Sequence, residues 1–171
     1  DPGIGLRNTG RRALTLADLH SLDGIIEPGG PEAEIELHLT GNMERYTWSF
    51  DGLEFSKSTP VHMKHNQRIR VILQNDTMMT HPMHLHGMFM QLENGQAAVD
   101  MPNKHTLIVP PGKTVTALLT ADELGEWAIH CHLLYHMSSG MMNKLIVANV
   151  SDSQVSTTPI QEQKTAAQVE P

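Results

Sequence analysis

Cysteine is almost absent from this sequence: Cys131 is the single example in 171 residues. One thiol excludes an intramolecular disulfide framework and leaves three roles: a buried structural thiol, a nucleophile or a metal ligand. Aromatic side chains are also scarce, at 4%, so the core must be aliphatic and methionine-rich. No run approaches the roughly 18–20 apolar residues of a membrane-spanning helix, and no N-terminal signal pattern is visible. Positive charge is in deficit. Twelve Lys and Arg face 19 Asp and Glu, for a net charge of −7, which argues against non-specific nucleic-acid binding. The chain opens at Asp1-Pro2 rather than Met, which suggests a processed or excised piece. The missing signal therefore says nothing about compartment. The length suits one domain, or one domain with a tail.

Helix signals are weak, and strand signals dominate. Residues 1–33, rich in Gly, Pro and Arg, read as a linker or extended arm. Short β-like runs follow at Glu34–Thr40, Arg45–Phe50, Ile69–Gln74, Met83–Leu92, His105–Val109, Thr114–Leu119, Trp127–His130 and Leu145–Ala148. Turn residues such as Asn75-Asp76 and Pro110-Pro111-Gly112 separate them. Seven or eight short strands at this spacing predict a sandwich or barrel over 34–150. Thr120–Gly125 reads as one helical turn, with a Thr cap and a Gly stop. Residues 151–171 lack aromatics and periodicity and read as a disordered polar tail.

Against these absences stand 11 histidines and 11 methionines. Six of the histidines, with the cysteine, fall in two clusters: His81-Pro82-Met83-His84-Leu85-His86-Gly87, and a second from His130-Cys131-His132 through His136 to Met141. Side chains on a strand alternate faces. His130 and His132 then share one face while Cys131 points to the other; His84 and His86 share a face, with His81 opposite. One set holds Cys131 and His81, and His136 and Met141 follow on the loop after Cys131 to complete it. Two His, one Cys and a weak axial Met make up the blue-copper electron-transfer arrangement. The other set holds four imidazoles, His84, His86, His130 and His132, enough for parts of several metal sites but not for a closed cluster. Cys131 is covalently flanked by His130 and His132, so an electron on the thiolate has one backbone unit to cross between the sets.

The other histidines point elsewhere. His62-x-x-His65 after Pro60 reads as an exposed loop, and His38 and His105 as structural strand residues. Nine methionines lie between Met78 and Met142. Met79, Met83 and Met101 read as core filling. Met88, Met90, Met137 and Met142 are equally consistent with a core or with a thioether surface for Cu(I).

At these residues the sequence resembles the multicopper oxidases, in particular their C-terminal cupredoxin domain. The H-P-x-H-x-H-G and H-C-H-x₃-H-x₃-G-M motifs carry the resemblance. It looks closer still to the bacterial copper-resistance protein A branch, through Asp1–Arg7, His38–Arg45, Trp48–Gly52, Asn75–His81 and His130–Met137, and it covers roughly residues 1–150. It implies an all-β, cupredoxin-like Greek-key β-sandwich or barrel with little helix. It implies that His81, Cys131, His136 and Met141 bind a type 1 copper, His84 a type 2 copper, and His86, His130 and His132 type 3 coppers. Cys131, His130 and His132 would then form the electron path. The full protein would oxidise Cu(I) or phenolic donors and reduce O2 to water, in the periplasm and with a role in copper resistance. The remaining cupredoxin domains would supply the other cluster histidines. An axial Met implies a lower potential than in laccases with an apolar residue there. Met137 stands where some relatives carry an acidic residue that helps deliver protons, so that role is not carried over. As an isolated chain, the alternative is a copper-binding electron-transfer module without oxidase activity. Copper nitrite reductases resemble the sequence less well, because the His-Cys-His tripeptide belongs to the oxygen-reducing branch.

Overall fold

The computed structural model describes residues 3–22, residue 24 and residues 29–149. The tail expected at 151–171 lies outside the described residues, as do Asp1 and Pro2 of the resemblance.

Two sheets form the architecture. The first contains β1 (Ala33–Asn42), β2 (Thr47–Phe50), β4 (Arg68–Asn75), β6 (Met90–Leu92), β7 (Asn103–Lys104) and β9 (Thr114–Thr120), in the order β2-β1-β4-β9-β6-β7. The second contains β3 (Val61–Lys64), β5 (His81–Leu85), β8 (Thr106–Val109), β10 (Gly125–Cys131) and β11 (Met142–Ala148), in the order β3-β11-β10-β5-β8. Pairing is antiparallel except for β1 with β4 and β3 with β11. The single α-helix among the described residues is one short turn, α1 (Leu134–Ser138). No described helix is long and apolar enough to cross a membrane.

The alternation of the strands builds the core. Along β1, Ala33, Ile35, Leu37 and Leu39 are buried while the residues between them are more exposed. Ile69, Val71 and Leu73 do the same on β4, and Leu145 and Val147 on β11. Methionine takes the space that aromatics would fill: Met63, Met83, Met88, Met90 and Met141 are all core residues. An unbranched thioether fills irregular gaps between packed sheets well.

Several expectations are corrected. The single run Met83–Leu92 is two strands in different sheets, β5 and β6, with the change of sheet at His86–Phe89. Gly87 there has φ +80°, and a Cβ on it would lie 2.3 Å from the Trp127 ring. Thr120–Gly125 is not helical. Its start is clamped in extended form by paired hydrogen bonds, Asn66 N–H to the Ala121 carbonyl and Ala121 N–H to the Gln67 carbonyl. His62 is not in a loop: it lies on β3, held by parallel pairing to β11. Met79 is exposed rather than core.

The N-terminal arm docks on this frame. Asn94 Nδ2 donates to the carbonyls of Leu16 and Leu19, at 2.8 and 2.9 Å, and Ser21 N–H to that of Asp100 at 2.8 Å.

Candidate metal centre

β5 and β10 are neighbours in the second sheet, in a register that pairs Cys131 with Met83, His130 with His84 and Ile129 with Leu85. Residues opposite each other across a sheet share a face. The pairing therefore puts His130 beside His84 on the outer face and Cys131 on the core face with Met83. His81 starts β5 on the core face and is fully buried. After Cys131 the chain turns through α1, which brings His136 back against the same point.

On the core side the side chains of His81, Cys131 and His136 meet. Cys131 Sγ is 3.7 Å from Nδ1 of each histidine, and the two Nδ1 atoms are 3.1 Å apart. All three residues are buried. Met141 is buried too, and its backbone ties the loop shut. Cys131 N–H donates to the Met141 carbonyl at 3.1 Å, and Met141 N–H to that of His136 at 3.0 Å.

Burial sets the protonation of this group. It lowers His81 to about 4, aided by the nearby His136, and lowers His136 as well. Both imidazoles are therefore neutral near pH 7, the form that ligates metal. Burial raises the Cys131 thiol to about 11, against a smaller lowering from a backbone hydrogen bond at Leu133. Such a thiol ionises only when a cation joins it. One thiol and two neutral imidazoles form a donor set that fits copper in either common oxidation state.

The neighbours fix which nitrogen faces inward. Thr77 Oγ1 lies 2.7 Å from His81 Nε2 and donates its own proton to Asn75 Oδ1 at 2.8 Å. Thr77 thus accepts from Nε2–H and leaves His81 Nδ1 bare toward the thiol. Asn75 is fully buried and donates to the Met79 and Val109 carbonyls at 2.7 and 2.9 Å. Sequence reasoning missed Thr77 and Asn75 as supports; the Asn75-Asp76 turn signal beside His81 was the available clue.

On the outer side, His84, His86 and His130 offer nitrogens within 4.8 Å of one another. His86 Nε2 and His130 Nε2 are 3.0 Å apart, while His130 Nδ1 donates to the Cys131 carbonyl at 3.0 Å. His132 lies just beyond, its ring centroid 5.6 Å from that of His84 and 5.9 Å from that of His130. His84 Nδ1 donates to the His105 carbonyl at 2.8 Å and lies 3.0 Å from Thr106 Oγ1. That leaves Nε2 of His84 free, the outer-shell arrangement that orients metal-binding histidines. Burial lowers His84, against the hydrogen bond to His105. His105 precedes β8 rather than lying on it, and its exposed ring is 5.1 Å from that of His84.

A two-sheet β fold with a buried His-Cys-His group on one side of a strand pair and clustered imidazoles on the other defines a class. The chain belongs to the multicopper oxidase family, whose model matches residues 29–151. Its fold is the cupredoxin sandwich of that family, which implies copper. Among curated proteins it is similar to the copper resistance protein A homolog of Pseudomonas syringae pv. tomato, 54% identical over 151 residues, 86% of this chain and 25% of that protein. It is likewise 54% identical to the copper resistance protein A of Escherichia coli over 149 residues, 86% of this chain and 24% of that one. Among solved structures, the laccase from Pediococcus acidilactici matches with a TM-score of 0.63 and 26% identity, over 72% of this chain and 29% of that one. The chain thus spans about a quarter of the length of these relatives.

Proposed function

We propose that the chain is the C-terminal copper-binding domain of a bacterial multicopper oxidase that oxidises Cu(I) or phenolic donors, reduces O2 to water and serves copper resistance in the periplasm. In this reading residues 34–150 form the cupredoxin domain, 1–33 an arm and 151–171 a tail. The observation that carries it is the division of donors about one peptide. Cys131 joins His81 and His136 inside, while His130 joins His84 and His86 outside. His81, Cys131, His136 and Met141 would hold the type 1 copper. His84 would hold a type 2 copper and His86, His130 and His132 type 3 coppers, as half of a trinuclear cluster.

Bound copper supplies one-electron exchange at the inner set and, with the other half of the cluster, reduction of dioxygen at the outer set. The chain's own residues prepare for this. Burial keeps water from the thiol and the two neutral imidazoles. Thr77 and the His105 carbonyl each hold a ring proton away from the donor nitrogen. The backbone of His130-Cys131-His132 links the inner and outer sets covalently, and the Cys131 carbonyl also accepts from His130 Nδ1. The short span of the chain favours a second reading, in which the piece alone only binds copper and transfers electrons.

The visible absorption of the copper-loaded chain, with copper counted per chain, tests the first assignment. An intense blue thiolate-to-copper band with a single ion per chain is expected. Cys131→Ser should abolish the band, because a hydroxyl cannot replace the soft thiolate, whereas His132→Ala should keep it. A blue Cys131→Ser protein would overturn the ligand assignment. Oxygen consumption would separate the two readings: uptake by the chain alone excludes the electron-transfer module.

A further inference from the structure

Trp48 is not a donor, yet it touches two residues of the inner set. Its ring stacks on His136, with centroids 3.9 Å apart and planes 23° from parallel. It also meets His81 edge-on, at 5.2 Å and 65°. The side chain is almost wholly buried, at 1% exposure.

Three features bear on how the fold holds this residue. Gly41 faces Trp48 across the β1–β2 pair, and a Cβ on Gly41 would lie 2.6 Å from the indole. Gly41 does not have a positive φ; a glycine inside a strand marks a close approach, here of the Trp48 ring. The loop carrying Met141 packs on the Trp48 backbone, with Trp48 N–H donating to the Ser139 carbonyl at 3.2 Å. A Cβ on Gly140 would lie 2.6 Å from the Trp48 carbonyl oxygen. Finally, Trp48 Nε1 is buried and finds no acceptor among the described residues. A buried N–H without a partner is costly, and phenylalanine would fill much of the space without that cost. The larger indole stacks on His136 and still reaches His81 edge-on.

The two Nδ1 atoms are 3.1 Å apart, and the aromatic face stacked on His136 limits how far that ring can turn away from this arrangement.

We propose that Trp48 is a positioning residue of the metal centre, whose indole holds His136 and His81 in donor orientation before any ion arrives. This rests on the reading of His81, Cys131 and His136 as ligands.

The test compares the full chain with Trp48→Phe, Trp48→Leu and Gly41→Ala, which keeps the tryptophan but displaces its ring. In the metal-free proteins, the His136 ring protons should resonate upfield in the wild type, less so in Trp48→Phe, and near their ordinary positions in Trp48→Leu. On cupric titration, Trp48→Leu and Gly41→Ala should bind roughly 10- to 100-fold more weakly, as for other outer-shell changes. Their blue band, copper hyperfine splitting and reduction potential should also shift. Trp48→Phe should recover most of the affinity and spectrum, which also guards against a leucine variant that fails to fold. A wild type that is not blue would overturn the ligand reading while leaving the metal-free stacking measurable. A blue wild type with an unchanged Trp48→Leu, or with unshifted His136 protons, would overturn the role of Trp48 alone.

Discussion

Thr77 binds nothing itself, yet it decides which nitrogen of His81 carries the proton. Its hydroxyl sits between the His81 ring and the fully buried Asn75. Thr77→Val keeps the shape and removes the relay, leaving buried His81 Nε2–H without its acceptor, while Asn75 Oδ1 keeps only the backbone N–H of residue 77. Orphaned buried polar groups cost about 1–3 kcal/mol, so the urea midpoint of the metal-free chain should fall accordingly. The next residue along, Asp76, pins the same turn to β1. Its Oδ2 is 2.5 Å from His38 Nδ1, and its N–H donates to the Leu39 carbonyl. This hydrogen bond raises His38 above its ordinary 6.5, and the same contact lowers Asp76 below 3.8. A raised histidine contributes stability that is complete below 6.5 and lost as pH rises through its folded value. A lowered carboxylate contributes above 3.8 and loses that contribution as pH falls further. The pair is therefore strongest between these limits. Both side chains are about 40% exposed, so its worth is at most about 1 kcal/mol. Urea midpoints across this range and above should flatten in His38→Gln; an unchanged profile would show that the pair contributes nothing. The histidines and the cysteine were legible as residues because ligand types cluster at strand parity. Thr77, Asn75 and Trp48 were not, because a supporting hydrogen bond or ring contact leaves no spacing to read.

Elements show where sequence patterning stops. The alternation of β1 and β4 was readable because each buries one face, and a one-residue slip would expose it. β3 was hidden by His62, which with His65 just beyond the strand reads as a loop, and by parallel pairing to β11, a contact distant along the chain. The helical turn expected at Thr120–Gly125 has a local cap and stop, but tertiary hydrogen bonds hold the start of that segment extended. The real turn, α1, lacks a side-chain cap and exists where the chain must bring His136 back to Cys131. The division between β5 and β6 was masked by the apolar run Met88-Phe89-Met90. What breaks the strand is Gly87, with φ +80° and the Trp127 ring against its Cα. Trp127 is itself anchored by Nε1–H donating to the Glu123 carbonyl at 2.9 Å, so it cannot easily retreat. Gly87→Ala adds a left-handed backbone penalty of about 1–2 kcal/mol to a steric collision. The melting temperature should drop clearly, and the displaced His86 should weaken metal binding on the outer face while leaving the blue band. A variant as stable as the wild type would show that the Trp127 contact is loose.

At the scale of the whole molecule, the sandwich separates two environments across the β5–β10 pair. Inside, the His81, Cys131 and His136 group is buried in the core, with all three of these donors coming from this chain. Outside, His86 and His132 are exposed, as are Phe89, Leu133, Leu134 and Tyr135. Imidazoles in that setting can complete a metal cluster only against further ligands, and the chain matches only 25% of the length of the copper resistance protein A homolog. The two sides should therefore separate experimentally. The chain alone should take up its inner copper and turn blue. Mixed with the remaining domains of the same oxidase, it should gain the further ions of a trinuclear cluster and begin to consume oxygen. His84→Ala with His86→Ala should leave the blue band intact and block both gains, since these residues face away from Cys131. Oxygen consumption that survives this double substitution would mean that the outer histidines of this chain are not cluster ligands. Blue colour that appears only after mixing would mean that the inner site, despite its burial, is not formed by this chain alone.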